Sequence, residues 1–309
     1  VQRWRGLEQI PGGWGRSVVT IGVFDGVHRG HRAIIGRAVQ RAREVGQPAV
    51  LVTFDPHPSE VVRPGSHPAQ LTTTAYKADL LEEIGVDVML VVPFTLELSQ
   101  RPPAEFVHDV LVDGLQASAV VVGENFRFGY KAAGDITTLA ESGVRFGLVT
   151  EGVPLATQGD GTIYSSTAIR TLIAAGEVRL AAEALLRDHR VEGLVVRGDQ
   201  IGRGIGFPTA NLRPVPYAAI PADGIYAGRV RVNGEVRVAA ISVGSNPTFE
   251  GRQRRVEAYI LDFEGDIYGR AVAFDFVEHL RGMQRYDDVE ALVAQMHLDV
   301  ARTRELVSS

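Results

Sequence analysis

Apolar positions along the chain follow two regimes. Up to about residue 186, short runs that are apolar at nearly every position alternate with longer stretches that are apolar only at helical spacing. Val18–Phe24, Ala49–Phe54, Val88–Pro93, Ala119–Gly123 and Arg145–Thr150 read as strands. Arg32–Val45, Thr74–Ile84, Pro103–Gly114, Thr137–Ser142 and Ser166–Ala175 read as helices between and after them. Valine runs without polar alternation belong to strands covered on both faces, which is the condition of a parallel sheet between helix layers. The expected fold of this half is therefore α/β and doubly wound (Rossmann-like), with its ligand at the carboxyl ends of the strands.

Beyond a helix at Val178–Arg187 the regime changes. Val191–Val196, Ile225–Val232, Val236–Val243, Val256–Phe263 and Ala271–Val277 are short strands separated by turns instead of helices. Asn233-Gly234 is a two-residue hairpin signal. A succession of this kind predicts a small β-barrel or sandwich. A last amphipathic helix spans about Asp287 to Leu306, with Asp287 or Asp288 as its N-cap and Val289, Leu292, Val293, Met296 and Val300 on one face. The expected division is a first domain at 1–186 and a second at 187–309.

Composition narrows the function classes. An apolar content of 45 % with 22 % charged residues is that of a globular domain protein. A net charge of −5 gives no support to a nucleic-acid partner. No apolar run approaches the roughly 20 residues of a membrane span, and no secretory signal is visible at Val1–Glu8, so no membrane partner and a cytoplasmic location are expected. The absence of cysteine excludes disulfides, thiolate catalysis and cysteine-ligated zinc. Of the 32 basic residues only Lys77 and Lys131 are lysines.

The chemistry concentrates first in Gly22-Val-Phe24-Asp-Gly26-Val-His28-Arg-Gly30-His31, which follows the first strand and opens the first helix. A glycine turn leading into a helix N-terminus is a phosphate site, and histidines at i and i+3 share one helix face. Two imidazoles would then lie beside the phosphates of a nucleotide. Three further stretches fall at strand ends or helix starts: Thr53-Phe-Asp-Pro-His57-Pro58, Gly123-Glu-Asn125-Phe126-Arg127-Phe-Gly129 and Ser165-Ser166-Thr167-Ala-Ile-Arg170. Taken singly, a Ser-Ser-Thr turn is ordinarily an N-cap and an asparagine a turn residue.

In their order, these stretches resemble the nucleotidyltransferases with a His-x-Gly-His motif, and within them FMN adenylyltransferase, the first module of the bacterial riboflavin kinase/FAD synthetases. The resemblance implies transfer of an adenylyl group from ATP to FMN, giving FAD and pyrophosphate. It implies catalytic roles for His28 and His31 as groups that stabilise the transferring phosphates. ATP would be bound at Gly22, Phe24, Gly26, Gly30, Ser165, Ser166, Thr167 and Arg170, and the flavin at Asn125, Phe126, Arg127 and His57.

The second distinctive segment is Gly202-Arg-Gly204-Ile-Gly206-Phe207-Pro208-Thr209-Ala-Asn211-Leu212. It has neither the strand–helix setting of a dinucleotide fingerprint nor the Gly-Lys-Ser/Thr of a P-loop. Phe-Pro-Thr-Ala-Asn-Leu resembles the motif of riboflavin kinases. Pro221–Tyr226, Gly244–Thr248, Glu257–Phe263, Gly265–Gly269 and Leu280-Arg281 continue that resemblance. It implies a Greek-key β-barrel followed by a helix, and phosphorylation of riboflavin to FMN by ATP. ATP would be held at Gly202, Gly204, Gly206, Phe207, Pro208 and Thr209. Mg²⁺ would be held by Thr209 and Asn211, whose neutral oxygens suit an ion shared with phosphates. Glu257 would be the catalytic base, and Tyr268, Leu280, Arg281 and Tyr286 would border the flavin. Read from the residues alone, Glu257 is a strand residue on the face of Tyr259 and Leu261, opposite Val256, Ala258 and Ile260, free to pair with Arg254 or Arg255. Met283 stands where many members carry an acidic residue. Two other readings are a nucleotidyltransferase for another phosphorylated acceptor with an inactive barrel, and a flavin- or nucleotide-binding regulator without turnover.

Overall fold

Contacts divide the chain into two units, one made of Val1–Pro68 and Thr73–Ser165, the other of Ala69–Thr72 and the chain from Ser166 onward. The computed structural model describes residues 1–157, 159, 161–198, 201–204, 206–248 and 251–307.

The first unit is built on six strands: β1 (Gln2–Arg5), β2 (Ser17–Ile21), β3 (Ala49–Asp55), β4 (Val88–Pro93), β5 (Ala117–Gly123) and β6 (Val149–Val153). They lie in the order β1-β4-β3-β2-β5-β6, and every neighbouring pair is parallel. Alternate residues of the inner strands β2 to β5 enter separate cores, which is why those strands read as nearly unbroken apolar runs. Val19, Ile21, Val50 and Val52 pack with Phe106 and Leu111 on one face. On the other, Leu51 and Met89 meet Ile35, Leu80 and Leu81, and Val18 and Val121 meet Ala38 and Ala42. The order reverses at β2, flanked by β3 on one side and β5 on the other.

Two expectations are corrected here, and one strand had not been expected. The strand expected at Arg145–Thr150 begins only at Val149, because Arg145 and Phe146 complete the helix Ile136–Phe146 and Gly147, at φ 69°, terminates it in the left-handed conformation. The helix expected at Pro103–Gly114 is one α-turn, Pro103–Phe106, running into a π-helix, Val107–Gly114. Strand β1 escaped notice because only Trp4 of its four residues is buried, which leaves no pattern to read.

The second unit is a closed barrel of β7 (His189–Val196), β8 (Ala210–Pro214), β9 (Gly224–Val232), β10 (Glu235–Thr248), β11 (Gly251–Ile260) and β12 (Ala271–Arg281), ordered β10-β11-β8-β7-β12-β9 with antiparallel pairing. Strands β8 and β9 follow each other in sequence but are not neighbours, so the chain crosses between them as in a Greek key. Asn233 and Gly234, at φ 52° and 81°, make the expected tight hairpin between β9 and β10. The interior is filled by Tyr226, Val230, Ile241, Ala258, Phe274 and Phe276. Strand β8, hidden in the sequence inside the glycine-rich segment, closes the barrel between β7 and β11. The helices Ser166–Ala174 and Val178–Leu185 belong with the barrel, and Val178 lies in its core. The units thus divide after Ser165, earlier than the change of pattern at Leu186. The C-terminal helix Val289–Val307 is capped by Asp288, whose Oδ1 accepts from the Ala291 N–H at 2.7 Å.

Asp275 on β12 is buried and accepts from Arg190 through Nε at 2.6 Å and Nη2 at 3.1 Å, and from Arg231 Nε at 2.6 Å. Removing the carboxylate takes from the nearly buried Arg190 the anion that its Nε and Nη2 both reach. Asp275→Ala should therefore destabilise the barrel by about 3 kcal/mol. Calorimetry should show the loss as an earlier transition. The fluorescence melt of Trp4 and Trp14, the two tryptophans of the chain, both in the other unit, should not move with it.

Candidate functional site

In the first unit the carboxyl end of β2 leads into the loop Gly22–His28. Its backbone is unusual: Phe24 and Val27 take φ of 48° and 41°, and Gly26 takes 89°. Left-handed conformations at an aromatic and a β-branched residue are strained, at roughly 1–3 kcal/mol each, and persist only where the surroundings impose them. Here the Phe24 and Val27 side chains are buried in the core with Leu51, Leu80 and Leu81. The Val23 carbonyl is held from behind, accepting from Thr53 Oγ1 at 3.0 Å and from Lys77 Nζ at 2.7 Å. Lys77 is itself buried and also donates to Thr53 Oγ1 at 3.2 Å. Burial pushes its amine down to about 8, while Asp25 and Asp55 pull it upward. Sequence reasoning missed Lys77, since a lysine between Tyr76 and Ala78 on an amphipathic helix ordinarily points to water.

Helix α1 (Arg29–Glu44) begins three residues earlier than its hydrophobic pattern implied, which puts His31 in its first turn and His28 at the N-cap, so that the two histidines do not share a helix face as expected. His28 Nδ1 accepts from the His31 N–H at 3.4 Å, so a neutral ring carries its proton on Nε2. The two imidazoles stack with centroids 3.6 Å apart and planes 22° apart, and His31 meets the edge of Phe24. His28 is buried, and His31 partly so. A Cβ on Gly30 would come within 3.2 Å of the His28 ring and 3.4 Å of the Tyr164 carbonyl. The pair therefore stands at the positive end of the α1 dipole.

Beside this loop lies a cavity of about 420 Å³, lined by Ile21, Gly22 and Val23 after β2 and by Asn125–Gly129 after β5. It opens where the strand order reverses, the place at which doubly wound sheets bind ligands. Phe126 and Phe128 stack 5.5 Å apart within 13° of parallel, giving the cavity an aromatic wall. Arg127 Nη1 donates to the Phe126 carbonyl at 3.1 Å and lies 3.9 Å from the Asp135 carboxylate. The side chain of Phe24 is in the core, so only its main chain can serve a ligand. His57 is not among the lining residues. It caps the short helix Pro58–Val62, with Nδ1 2.7 Å from Ser59 Oγ, while Pro58 reaches the cavity. Ser165 closes the first unit, and Ser166, Thr167 and Arg170 open a helix of the second. Arg170 Nε donates to the Ala69 carbonyl at 2.6 Å.

In the second unit, Val256, Ala258 and Ile260 point into the barrel, which settles the outward face for Glu257 and Tyr259. Glu257 lies directly opposite Asn211 across the β8–β11 pair, and Thr209 Oγ1 donates to Glu257 Oε2 at 3.1 Å. Arg254 is engaged elsewhere, with Asp223 and the Ile220 and Pro221 carbonyls. A Cβ on Gly198 would fall 2.4 Å from Asn211 Oδ1, so the asparagine side chain fills the space this glycine leaves.

Two cavities border that cluster, and Thr209 lines both. The first, about 370 Å³, is lined by Glu257, Tyr259, Arg281, Met283 and Tyr286, and is walled by Leu292 and Met296 of the C-terminal helix. Phe207 lies here, 5.0 Å from Tyr259 and 5.1 Å from His297 by ring centroids. The second, about 500 Å³, is lined by Pro208, Thr209 and the turn 263–268. Tyr268 is on this second cavity, which separates it from Arg281 and Tyr286, with which the sequence had grouped it. Leu280 lines neither. Asp299 fixes Arg281 with bonds of 2.9 and 2.6 Å and holds the guanidinium pKa up, and Gln295 donates to the same carboxylate at 3.0 Å. Gly202 and Gly204 fall in a one-turn helix, Ile201–Gly204, and Gly206 takes φ 86° in the turn after it.

Among the described residues no cluster of three His, Asp or Glu side chains could hold a metal. The donors at 209, 211 and 257 are a hydroxyl, an amide and one carboxylate. Such an all-oxygen set fits Mg²⁺ shared with phosphates and does not fit zinc.

Comparison with known proteins adds the family. Residues 11–168 match the FAD synthetase family and residues 185–307 the riboflavin kinase family. The chain is 37 % identical to the bifunctional riboflavin kinase/FMN adenylyltransferase of Pseudomonas fluorescens over 100 % of its own length and 98 % of that protein's. It is 39 % identical to the protein of the same description from Listeria monocytogenes, covering 93 % and 91 % of the two chains. A crystal structure described as a macrolide-efflux protein from Streptococcus pneumoniae superposes with a TM-score of 0.90 at 30 % identity, over 98 % and 99 % of the chains. Among the described residues no helix is long and apolar enough to cross a membrane. A doubly wound nucleotidyltransferase unit and a riboflavin-kinase barrel on one chain define a two-activity transferase of flavin nucleotides. The chain belongs to the bifunctional riboflavin kinase/FMN adenylyltransferase family.

Gly198→Ala should force the Asn211 amide aside. FMN formation should fall about tenfold or more, while FAD formation from supplied FMN should hold, as chromatography of the flavin products would show.

Proposed function

We propose that the barrel unit phosphorylates riboflavin at the 5′-hydroxyl of its ribityl chain, and that the first unit joins the resulting FMN to the adenylyl group of a second ATP. The observation that carries the first step is the position of Thr209 on both barrel cavities, with its hydroxyl on Glu257. ATP in the cavity of Pro208 and the 263–268 turn and riboflavin in the cavity of Tyr259 and Tyr286 would meet at that point. Glu257 takes the proton of the ribityl hydroxyl as its oxygen bonds to the γ-phosphorus, and ADP leaves. Thr209 and Asn211 supply the oxygens that would hold Mg²⁺, which would neutralise charge on the ATP phosphates when bound. Arg281, fixed by Asp299, and the rings of Tyr259 and Tyr286 suit an aromatic, polar-edged acceptor.

In the first unit an FMN phosphate oxygen attacks the α-phosphorus of ATP and pyrophosphate departs. Nothing covalent is asked of the protein. The requirement is fixed positive potential where charge develops. The loop Gly22–His28, the N-terminus of α1 and the stacked pair His28 and His31 supply it. The aromatic wall of Phe126 and Phe128, with Asn125 and Arg127, suits the flavin ring. Ser165, Ser166, Thr167 and Arg170 carry the hydroxyls and the guanidinium that their motif offers a triphosphate.

Purified enzyme given riboflavin, ATP and Mg²⁺ should form FMN and then FAD. Glu257→Gln should lower FMN formation by about 10²- to 10⁴-fold and leave FAD formation from FMN intact. The double variant His28→Ala/His31→Ala should do the opposite, with a loss of about 10²-fold or more. Loss of both activities in either variant would refute the separation of the two sites, and absence of both products from the parent enzyme would refute the reading as a whole.

A further inference from the structure

The most unusual group outside the motifs is Lys77, a buried lysine on the helix Thr74–Ile84. A buried ammonium group is costly unless its donors are used, and two of them are spent on one small target. Nζ lies 2.7 Å from the Val23 carbonyl and 3.2 Å from Thr53 Oγ1, and Thr53 Oγ1 donates to the same carbonyl at 3.0 Å. Three atoms from β3, the helix and the loop thus close a triangle directly after Gly22. The charged groups that act on the amine are Asp25 of the loop and Asp55 at the end of β3.

The consequence is directional. In a trans peptide the N–H points opposite to the carbonyl. The grip that turns the Val23 carbonyl toward Lys77 therefore turns the Phe24 N–H away from it. The next residues take the left-handed values at Phe24, Gly26 and Val27 that carry the chain to His28. Such values persist only under external constraint, and to this grip Lys77 contributes from outside every motif.

We propose that Lys77 is a positioning residue for adenylyl transfer: with Thr53 it grips the Val23 carbonyl from beneath and holds the loop Gly22–His28 in the strained form that presents its main chain and His28 to the triphosphate. The proposal rests on the reading of this site as the FMN-adenylylating one. Lys77 is assigned no contact with substrate.

The test separates positioning from mere support of the fold. Because burial lowers the amine to about 8, below its ordinary value of 10.5, the unfolded chain holds the proton more tightly. The charged lysine therefore costs stability at neutral pH, and that cost is relieved as pH rises from about 8 toward 10.5. Lys77→Met fills similar space without the charge, so the melt of the first unit, followed by Trp4 and Trp14 fluorescence at pH 7, should stay at or above that of the parent. Its kcat for FAD formation from FMN and ATP should nevertheless fall about ten- to a hundredfold, with FMN formation by the barrel unchanged. Lys77→Gln keeps an N–H for the Val23 carbonyl and should recover part of the rate.

Either of two results would overturn the proposal. One is FAD formation by Lys77→Met at the parental rate. The other is a loss, in both variants, that only follows a lowered tryptophan melt. A parent enzyme that makes no FAD would instead remove the reading of the site, an outcome distinct from both.

Discussion

Both units are closed structures whose interiors are already full, and that constraint decides where chemistry can occur. The parallel sheet buries side chains on each face, with Val19 and Ile21 facing one core and Val18 the other. The barrel holds Tyr226, Phe274 and Phe276 where a larger barrel would hold a ligand. A substrate can therefore reach the first unit only at strand ends and the second only where the barrel wall and the turns beside it leave room. The cavity at the ends of β2 and β5 and the two cavities that meet at Thr209, one of them reaching the barrel residues Val195, Ala258 and Ile260, are the corresponding openings.

The same logic explains the unequal demands on the two sites. Phosphorylating a hydroxyl requires a proton acceptor, and Glu257, the one proposed, is carried on the face of β11 opposite Val256 and Ala258, so its position is as rigid as the barrel. Adenylyl transfer to a phosphate requires no proton removal and relies on oriented dipoles and imidazoles. Those come from a loop, and a loop needs bracing. Hence the strain at Phe24 and Val27 and the buried amine beneath Val23 in one unit, against a strand pair in the other.

Much of this was legible in the sequence because it depends on period and punctuation. The unbroken valine runs gave away the buried parallel strands, Asn233-Gly234 the hairpin, and the ordered motifs the family. What failed to show depends on partners distant in sequence. Strand β8 is five residues long and follows a glycine-rich segment, so only its pairing with β7 and β11 reveals it. Gly147 shifts the last strand of the sheet by ending a helix later than the apolar pattern suggested. Tyr268 and Arg281 are close to neighbouring motifs in sequence, yet they line different cavities. Lys77 looks like a surface lysine until Val23 and Thr53, 54 and 24 residues away, are seen to meet it.

The wall that the C-terminal helix gives to the first barrel cavity bears on how the enzyme comes into being on the ribosome. Chains fold from the amino end as they emerge. The residues lining the cavity proposed for adenylylation all lie between Ile21 and Ala132, whereas the cavity proposed for riboflavin waits for Leu292, Met296 and Val300. On that proposal, synthesis completes the pocket for the second reaction before the pocket for the first.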